Sequence, residues 1–218
     1  MKLTKQQIQK DIDALPQNYK TKDVDALIKK YVKEQADVSA LREYVLTEQQ
    51  FHRIYYYVTL QQMKDVTERM IFIHNNLLFE DWWHTDELIK YVADLDFDVA
   101  VSYAKEYIKS EDPFIVRWGY VLFISKLGRG HATTLLPLMQ NHSHYYVQMG
   151  EAWLIAELAI EESDTVYEWM KTNNLTYNIN GKAIQKICDS YRITKEWKER
   201  FKELRAVLRN RNDINQEA

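Results

Sequence analysis

Phe79-Glu80-Asp81-Trp82-Trp83-His84-Thr85-Asp86-Glu87-Leu88-Ile89 sets the frame for the chain. Trp118 stands 35 residues after Trp83, and Trp153 another 35 after that. Four residues before these tryptophans are Phe79, Phe114 and Met149, and five residues after them are Leu88, Phe123 and Leu158. One period further the tryptophan column reads Cys188 and the column after it Ile193, with Ala183 one residue short of the column before it, and all three are apolar. A fixed period with apolar columns is the mark of stacked repeats, each of which buries its apolar face against its neighbours. Six tryptophans produce some equal spacings by chance. Three columns in one register make coincidence the weaker reading. The pattern does not extend backward, because Arg53 falls on an apolar column.

The remaining segments read as helices. Thr4 with Gln7 and Thr47 with Gln50 are capping-box patterns, and Pro16 ends the first helix. Thr21 opens a second helix with Val24, Leu27, Ile28, Tyr31 and Val32 on one stripe. Ser39 to Val45 reads as a short helix or turn, Asp65 as the start of a helix, and Trp82 to Ala93 as the tryptophan helix. Asp98 is the expected cap of the next, and Asp112-Pro113 is a strong start signal for the helix carrying Trp118, closing at Gly128. Ser143 opens a long segment carrying Trp153, Ser163 or Asp164 caps the one after it, and Asn180-Gly181 precedes another. Thr194 caps a last helix with Trp197, Phe201, Leu204 and Leu208 inward and its bases outward. Five glycines and three prolines are too few for a many-stranded protein. The expected fold is all-α: a solenoid of antiparallel helix pairs of HEAT-like or armadillo-like type. It is read as one domain over 1–218, with divergent helices at 1–65, core repeats at 66–193, and a basic C-terminal helix and tail at 194–218.

Composition bounds the function. One cysteine, Cys188, excludes an internal disulfide and suits a reducing cytoplasm. No run of about 18 apolar residues exists to cross a membrane. The net charge of −3 argues mildly against a dedicated nucleic-acid binder. Its distribution is uneven: residues 80–112 hold ten acids and three bases, and Lys195 to Arg211 holds seven bases and three acids. A polyanion therefore meets the C-terminal end first. Phosphate-cradling glycine loops and Cys-x-x-Cys are absent. His142 and His144 are two apart in a loop without a third ligand, so no metal and no cofactor is expected. Trp83 and Glu87 lie at i and i+4, one turn apart on one helix face. An indole beside a carboxylate suits a site that handles positive charge.

Three blocks carry a resemblance: Trp-Trp-x-Thr-x-Glu from Trp82, Pro-Phe-Ile-Val-Arg-Trp from Pro113, and Tyr-Tyr-Val-Gln-Met-Gly-Glu-Ala-Trp-Leu-Ile-Ala-Glu-Leu from Tyr145. Together, from about Met70 to Tyr191, they resemble the HEAT-like-repeat DNA glycosylases, the AlkD-like alkylation-repair family. The resemblance implies a basic concave surface that grips duplex DNA and releases cationic N3- or N7-alkylated purines without drawing them into a pocket. It implies two tryptophans and an aspartate against the lesion's sugar, the carboxylate stabilising the oxocarbenium-like sugar as in glycoside hydrolysis. Carried over, Trp83 and Trp153 are the site tryptophans, and Glu87 stands for the aspartate, one methylene longer. Trp118 stands for the site arginine, with Arg117 one place before it, and Met149 and Ala156 replace a lysine and an arginine. The family's N-terminal aromatic segment has no counterpart between Tyr31 and Phe51. These substitutions predict a DNA-binding member, monomeric, with weak duplex affinity and weak or no base-excision activity. The alternatives are an active alkylpurine glycosylase using Glu87, or a HEAT-type scaffold for a protein partner.

Overall fold

The computed structural model describes the backbone of residues 1–216 and the side chains of residues 1–210. The end of the C-terminal tail, including the side chain of Arg211 in the basic run, lies outside the described residues. Among them there are thirteen α-helices and no strand, apart from one isolated parallel bridge between Lys2 and Asp37. The chain divides into two compact units, Met1–Glu80 and Asp81–Ala218.

The first unit holds α1 (Lys5–Asp13), α2 (Thr21–Lys33), a 3-10 turn at Ser39–Tyr44, α3 (Gln49–Gln62) and α4 (Val66–His74). The Thr4–Gln7 capping box forms as expected. That at Thr47 does not: its hydroxyl donates to the Tyr44 carbonyl at 2.8 Å, and α3 starts two residues later without a side-chain cap. Arg53, the break in the apolar columns, is buried because Asp25 accepts its guanidinium at 2.8 Å and the Tyr57 ring lies 4.8 Å beneath it. Asn76 closes this unit. Its side-chain oxygen accepts from Arg42 Nε and Tyr55 Oη, both at 2.9 Å, and its carbonyl accepts from Tyr56.

The second unit begins with α5 (Trp82–Asp86) and α6 (Ile89–Val92), then α7 (Phe97–Tyr107), α8 (Pro113–Val121), α9 (Ala132–Leu135), α10 (Tyr145–Leu158), α11 (Ser163–Thr172), α12 (Tyr177–Asp189) and α13 (Lys195–Gln216). The tryptophan helix is thus two short helices broken at Glu87 and Leu88. Asp112 caps α8 as expected, accepting from Phe114 N at 2.8 Å. The cap of α7 is Asp96, not Asp98; Asp98 sits in the first turn, where a carboxylate also complements the helix dipole. Asn180 and Gly181 lie inside α12, since the Asn180 side chain pairs reciprocally with Asn173 instead of breaking the helix. Gly128 is not the cap of α8, which ends at Val121. Its Cβ would lie 2.4 Å from the Phe123 carbonyl, so packing excludes a side chain there.

Helix α10 is buried on nearly every side and packs on α8, α11 and α12. A helix apolar all round belongs to a core, and its polar residues must then find partners. Buried Glu151 accepts from the backbone N–H groups of Gln140 and Asn141 at 2.8 and 3.1 Å, and Glu157 takes both guanidinium nitrogens of Arg192 at 3.0 and 2.8 Å. Leu88, Phe123 and Leu158 are all buried, as their column requires. The tryptophans do not share one environment: Trp118 is fully buried, whereas Trp153 is partly exposed.

Helix α8 packs against α7 through Gly119. A Cβ there would sit 2.8 Å from Ile108 Cγ2 and 3.2 Å from Tyr107 Cβ. Alanine is the better helix former by about 1 kcal/mol, yet overpacking costs about 1–3 kcal/mol. Gly119→Ala is therefore expected to lower stability in urea unfolding, against its helix propensity.

Candidate active site

Helix α5 is one and a half turns long and is fixed at its start by Asp81, whose carboxylate accepts from Trp82 N at 2.7 Å. Thr85 turns inward, fully buried, and donates to the Trp82 carbonyl at 2.9 Å and to Asp86 Oδ1 at 3.1 Å. The Asp86 carboxylate is thereby aimed at α8. There Arg117 reaches it with Nη2 at 2.8 Å to Oδ1 and 3.0 Å to Oδ2, and with Nε at 3.2 Å. The remaining arm, Nη1, donates to the Tyr146 carbonyl at the start of α10 at 2.7 Å. The guanidinium is 4% exposed and the carboxylate 13%, so the pair is largely out of water. Burial pushes the Asp86 carboxyl above its ordinary range, and the Arg117 charge and hydrogen bonds oppose that rise.

These groups floor a cleft of about 300 Å³. Trp82, Tyr145, Tyr146 and Trp153 supply aromatic walls, Met149 an apolar patch, and Lys186 of α12 a second cation. Lys186 Nζ lies 5.3 Å from the Trp153 ring centroid, and Lys182 Nζ lies 5.0 Å from that of Tyr145. Burial, then the Arg117 charge, pulls the Lys186 ammonium below its ordinary range.

Of the residues singled out from sequence, Trp153 and Arg117 line this cleft, while Trp83, Glu87 and Trp118 do not. Trp118 is fully enclosed, out of reach of any ligand, and its neighbour Arg117 takes the cleft position. Glu87 is the C-terminal cap of α5, and Asp86 holds the cleft instead. Trp83 packs edge-on to buried His84, ring centroids 4.0 Å apart, while Trp82 is 45% exposed. Trp82, Asp86 and Arg117 of the cleft each stand one residue before Trp83, Glu87 and Trp118, while Trp153 is common to both sets. Trp82 and Asp86 are also i and i+4, so helical spacing alone carried both versions equally. Lys186 had no sequence signal beyond residue type, and Tyr145 and Tyr146 entered only as the start of the third block.

On α13, Phe201, Leu204 and Leu208 are buried and Lys195, Lys202 and Arg209 exposed, as expected, whereas Trp197, Lys198 and Arg205 are all half-buried. Two of its bases are engaged, Lys202 with Glu199 at 2.8 Å and Arg205 with Gln185 at 3.0 Å. His142 and His144 lie in the loop before α10, where His142 Nδ1 accepts from His144 N at 3.0 Å. Among the described residues no group of three or more metal-ligating side chains occurs, and no helix is long and apolar enough to cross a membrane.

Among the described residues the chain is all-helical, as the three sequence blocks imply. The family model described as DNA alkylation repair enzyme matches residues 18–207, and the chain belongs to that family. No curated protein and no solved structure matches the chain.

Breaking a buried ion pair from one side leaves an uncompensated charge at roughly 3–5 kcal/mol, whereas an apolar pair of similar volume is often neutral. Arg117→Met is expected to destabilise the fold by that order in denaturant unfolding, and Arg117→Met with Asp86→Leu to recover most of the loss.

Burial also lowers the His84 imidazole to about 4, with the Asp81 charge opposing. Between about 6.5 and 4 the unfolded chain takes up a proton that the folded chain refuses, so stability is full above this window and falls with pH through it. His84→Gln is expected to reduce the acid-side slope of unfolding free energy by about 1.4 kcal/mol per pH unit, the value of one proton, measured by urea titrations from pH 7.5 to 4.5.

Proposed function

We propose that this chain is an alkylpurine DNA glycosylase that binds duplex DNA and removes cationic N3- or N7-alkylated purines, with its helix pairs stacked as HEAT-like repeats. The observation that carries this reading is the Asp86–Arg117 pair, held in a cleft with Trp82 and Trp153. The expectation of weak or absent activity rested on Glu87 and Trp118 at the carboxylate and arginine positions, on Met149 and Ala156 in place of two cations, and on the missing N-terminal aromatic segment. Asp86 and Arg117 facing the cleft answer the first of these grounds and leave the others standing.

The roles follow from the chemistry. An N-alkylated purine is a good leaving group because it departs as a neutral base, so the barrier lies in the positive charge that appears on the sugar. Asp86 answers that charge with a fixed carboxylate and takes hydrogen bonds from an attacking water. Trp82 and Trp153 offer π faces to a cation. Arg117 holds Asp86 in one orientation, which is worth more than its charge alone, because a loose carboxylate loses the advantage of position. Lys186 and the basic face of α13 attract the phosphate backbone.

The test is release of 7-methylguanine from duplex DNA. The unmodified chain is expected to release it well above the spontaneous rate. Asp86→Asn should lower the rate about 10²-fold or more, the scale of losing one electrostatic contact to the transition state, while Glu87→Gln stays within a few-fold. Thermal unfolding of both variants separates catalysis from folding. Release at the spontaneous rate, or loss with Glu87→Gln and not with Asp86→Asn, would reject the proposal.

A further inference from the structure

A second cleft of about 340 Å³ adjoins the first, lined by Trp153, Ala156, Tyr191 and Arg192, and Lys186 lines both. Tyr191 is almost fully exposed at its edge. Lys186 therefore stands where the two clefts meet, with its ammonium over the Trp153 face and Asp86 and Arg117 in the same cleft.

Resting on the glycosylase reading, we propose that Lys186 is an amine nucleophile toward the abasic sugar that excision leaves, giving the chain a strand-cleaving lyase activity. Three features support it. A lysine that is partly desolvated beside a second cation is a recurrent route to an activated amine, because both effects disfavour the charged form. Burial and Arg117 act on Lys186 in that way. The position at the junction of two clefts leaves the amine reachable by a sugar bound against Trp153. The cleft also holds a carboxylate that can take a proton from carbon.

The step balances without a redox partner. The free abasic sugar opens to an aldehyde at C1′. The Lys186 Nζ lone pair forms a bond to C1′, and the carbonyl oxygen leaves as water with one proton from the amine and one from solvent, giving a protonated imine. The imine draws electrons from C2′, whose proton passes to the Asp86 carboxylate. The C2′–C3′ double bond forms as the 3′ phosphate leaves with the C3′–O electron pair. Water then hydrolyses the imine and returns the amine.

The experiment uses the full chain with a duplex holding one preformed abasic site, so base excision is not required. Cyanoborohydride reduces an imine to a stable amine, and a covalent protein–DNA complex is expected, mapped to Lys186 by peptide mass spectrometry. Lys186→Arg keeps the charge and removes the nucleophile; trapped complex should fall at least ten-fold with thermal unfolding unchanged. Mapping on the unmodified chain decides the matter even if the variant folds poorly. No complex, or one at another lysine or the N-terminal amine, overturns the proposal. A parallel 7-methylguanine release assay separates the two readings. Release without trapping at Lys186 sinks the lyase alone, and trapping at Lys186 without release sinks the excision reading alone. Neither signal sinks both.

Discussion

The second unit depends on one side chain, Arg117. Its three donor nitrogens are spent on two elements: Nε and Nη2 on the Asp86 carboxylate of α5, and Nη1 on the Tyr146 carbonyl at the start of α10. Its own helix, α8, packs on α5, α7 and α10. A guanidinium so placed is satisfied only when all three helices hold register, because its fork geometry is rigid. Its stem lies directly against Gly150 of α10, where a Cβ would meet Arg117 Cγ at 3.4 Å and Nη1 at 3.5 Å, ordinary contact distances. The same contact that locks three helices also orients the cleft carboxylate, and folding and site geometry are one constraint here.

How much of this was readable in the sequence varies with the kind of signal. Helix existence was legible, because apolar periodicity and caps such as Thr4 and Asp112 are local. Boundaries failed where a competing hydrogen bond existed. Thr47 back-bonds to Tyr44, and buried Asn180 pairs with Asn173, so neither acts as the helix signal its type suggests. The cleft was legible as a neighbourhood, but most of its lining residues were not. Trp82-Trp83 and Asp86-Glu87 are doublets, and each indole has a carboxylate four residues on. What breaks the tie is Arg117, an interaction 31 residues away in sequence that no local spacing contains. The 35-residue spacing of tryptophans also misled. It aligned Trp118 with Trp153, although one is in the core and the other on a cleft wall.

Cation loss looked severe in one dimension and is smaller in three. Met149 lines the cleft without charge and Ala156 lines the adjoining one. Both clefts nevertheless hold a lysine, Lys186, which comes from α12 rather than α10. The second also holds Arg192, whose charge is taken up by Glu157 through two hydrogen bonds, so it contributes structure more than attraction. The cation that lines both clefts comes from a neighbouring element, which comparison of single columns does not register.

That distribution bears on how a carboxylate can act in this cleft. In the resting protein Asp86 is already balanced by Arg117, and Lys186 leaves the cleft net positive. On the proposed reading, ground-state attraction for a cationic base is therefore modest, and the pull on DNA would come from its phosphates. Only interactions stronger in the transition state than in the ground state accelerate a reaction. In the proposed reaction, charge moves from the purine to the sugar as the glycosidic bond stretches. A carboxylate held by three hydrogen bonds from one guanidinium cannot swing to follow it, and it has no need to, provided the sugar is bound at the right point. The buried pair thus favours a fixed field over a strong one. Electrostatic help of that kind costs no reorganisation at the moment of reaction, which suits a substrate whose bond is already labile.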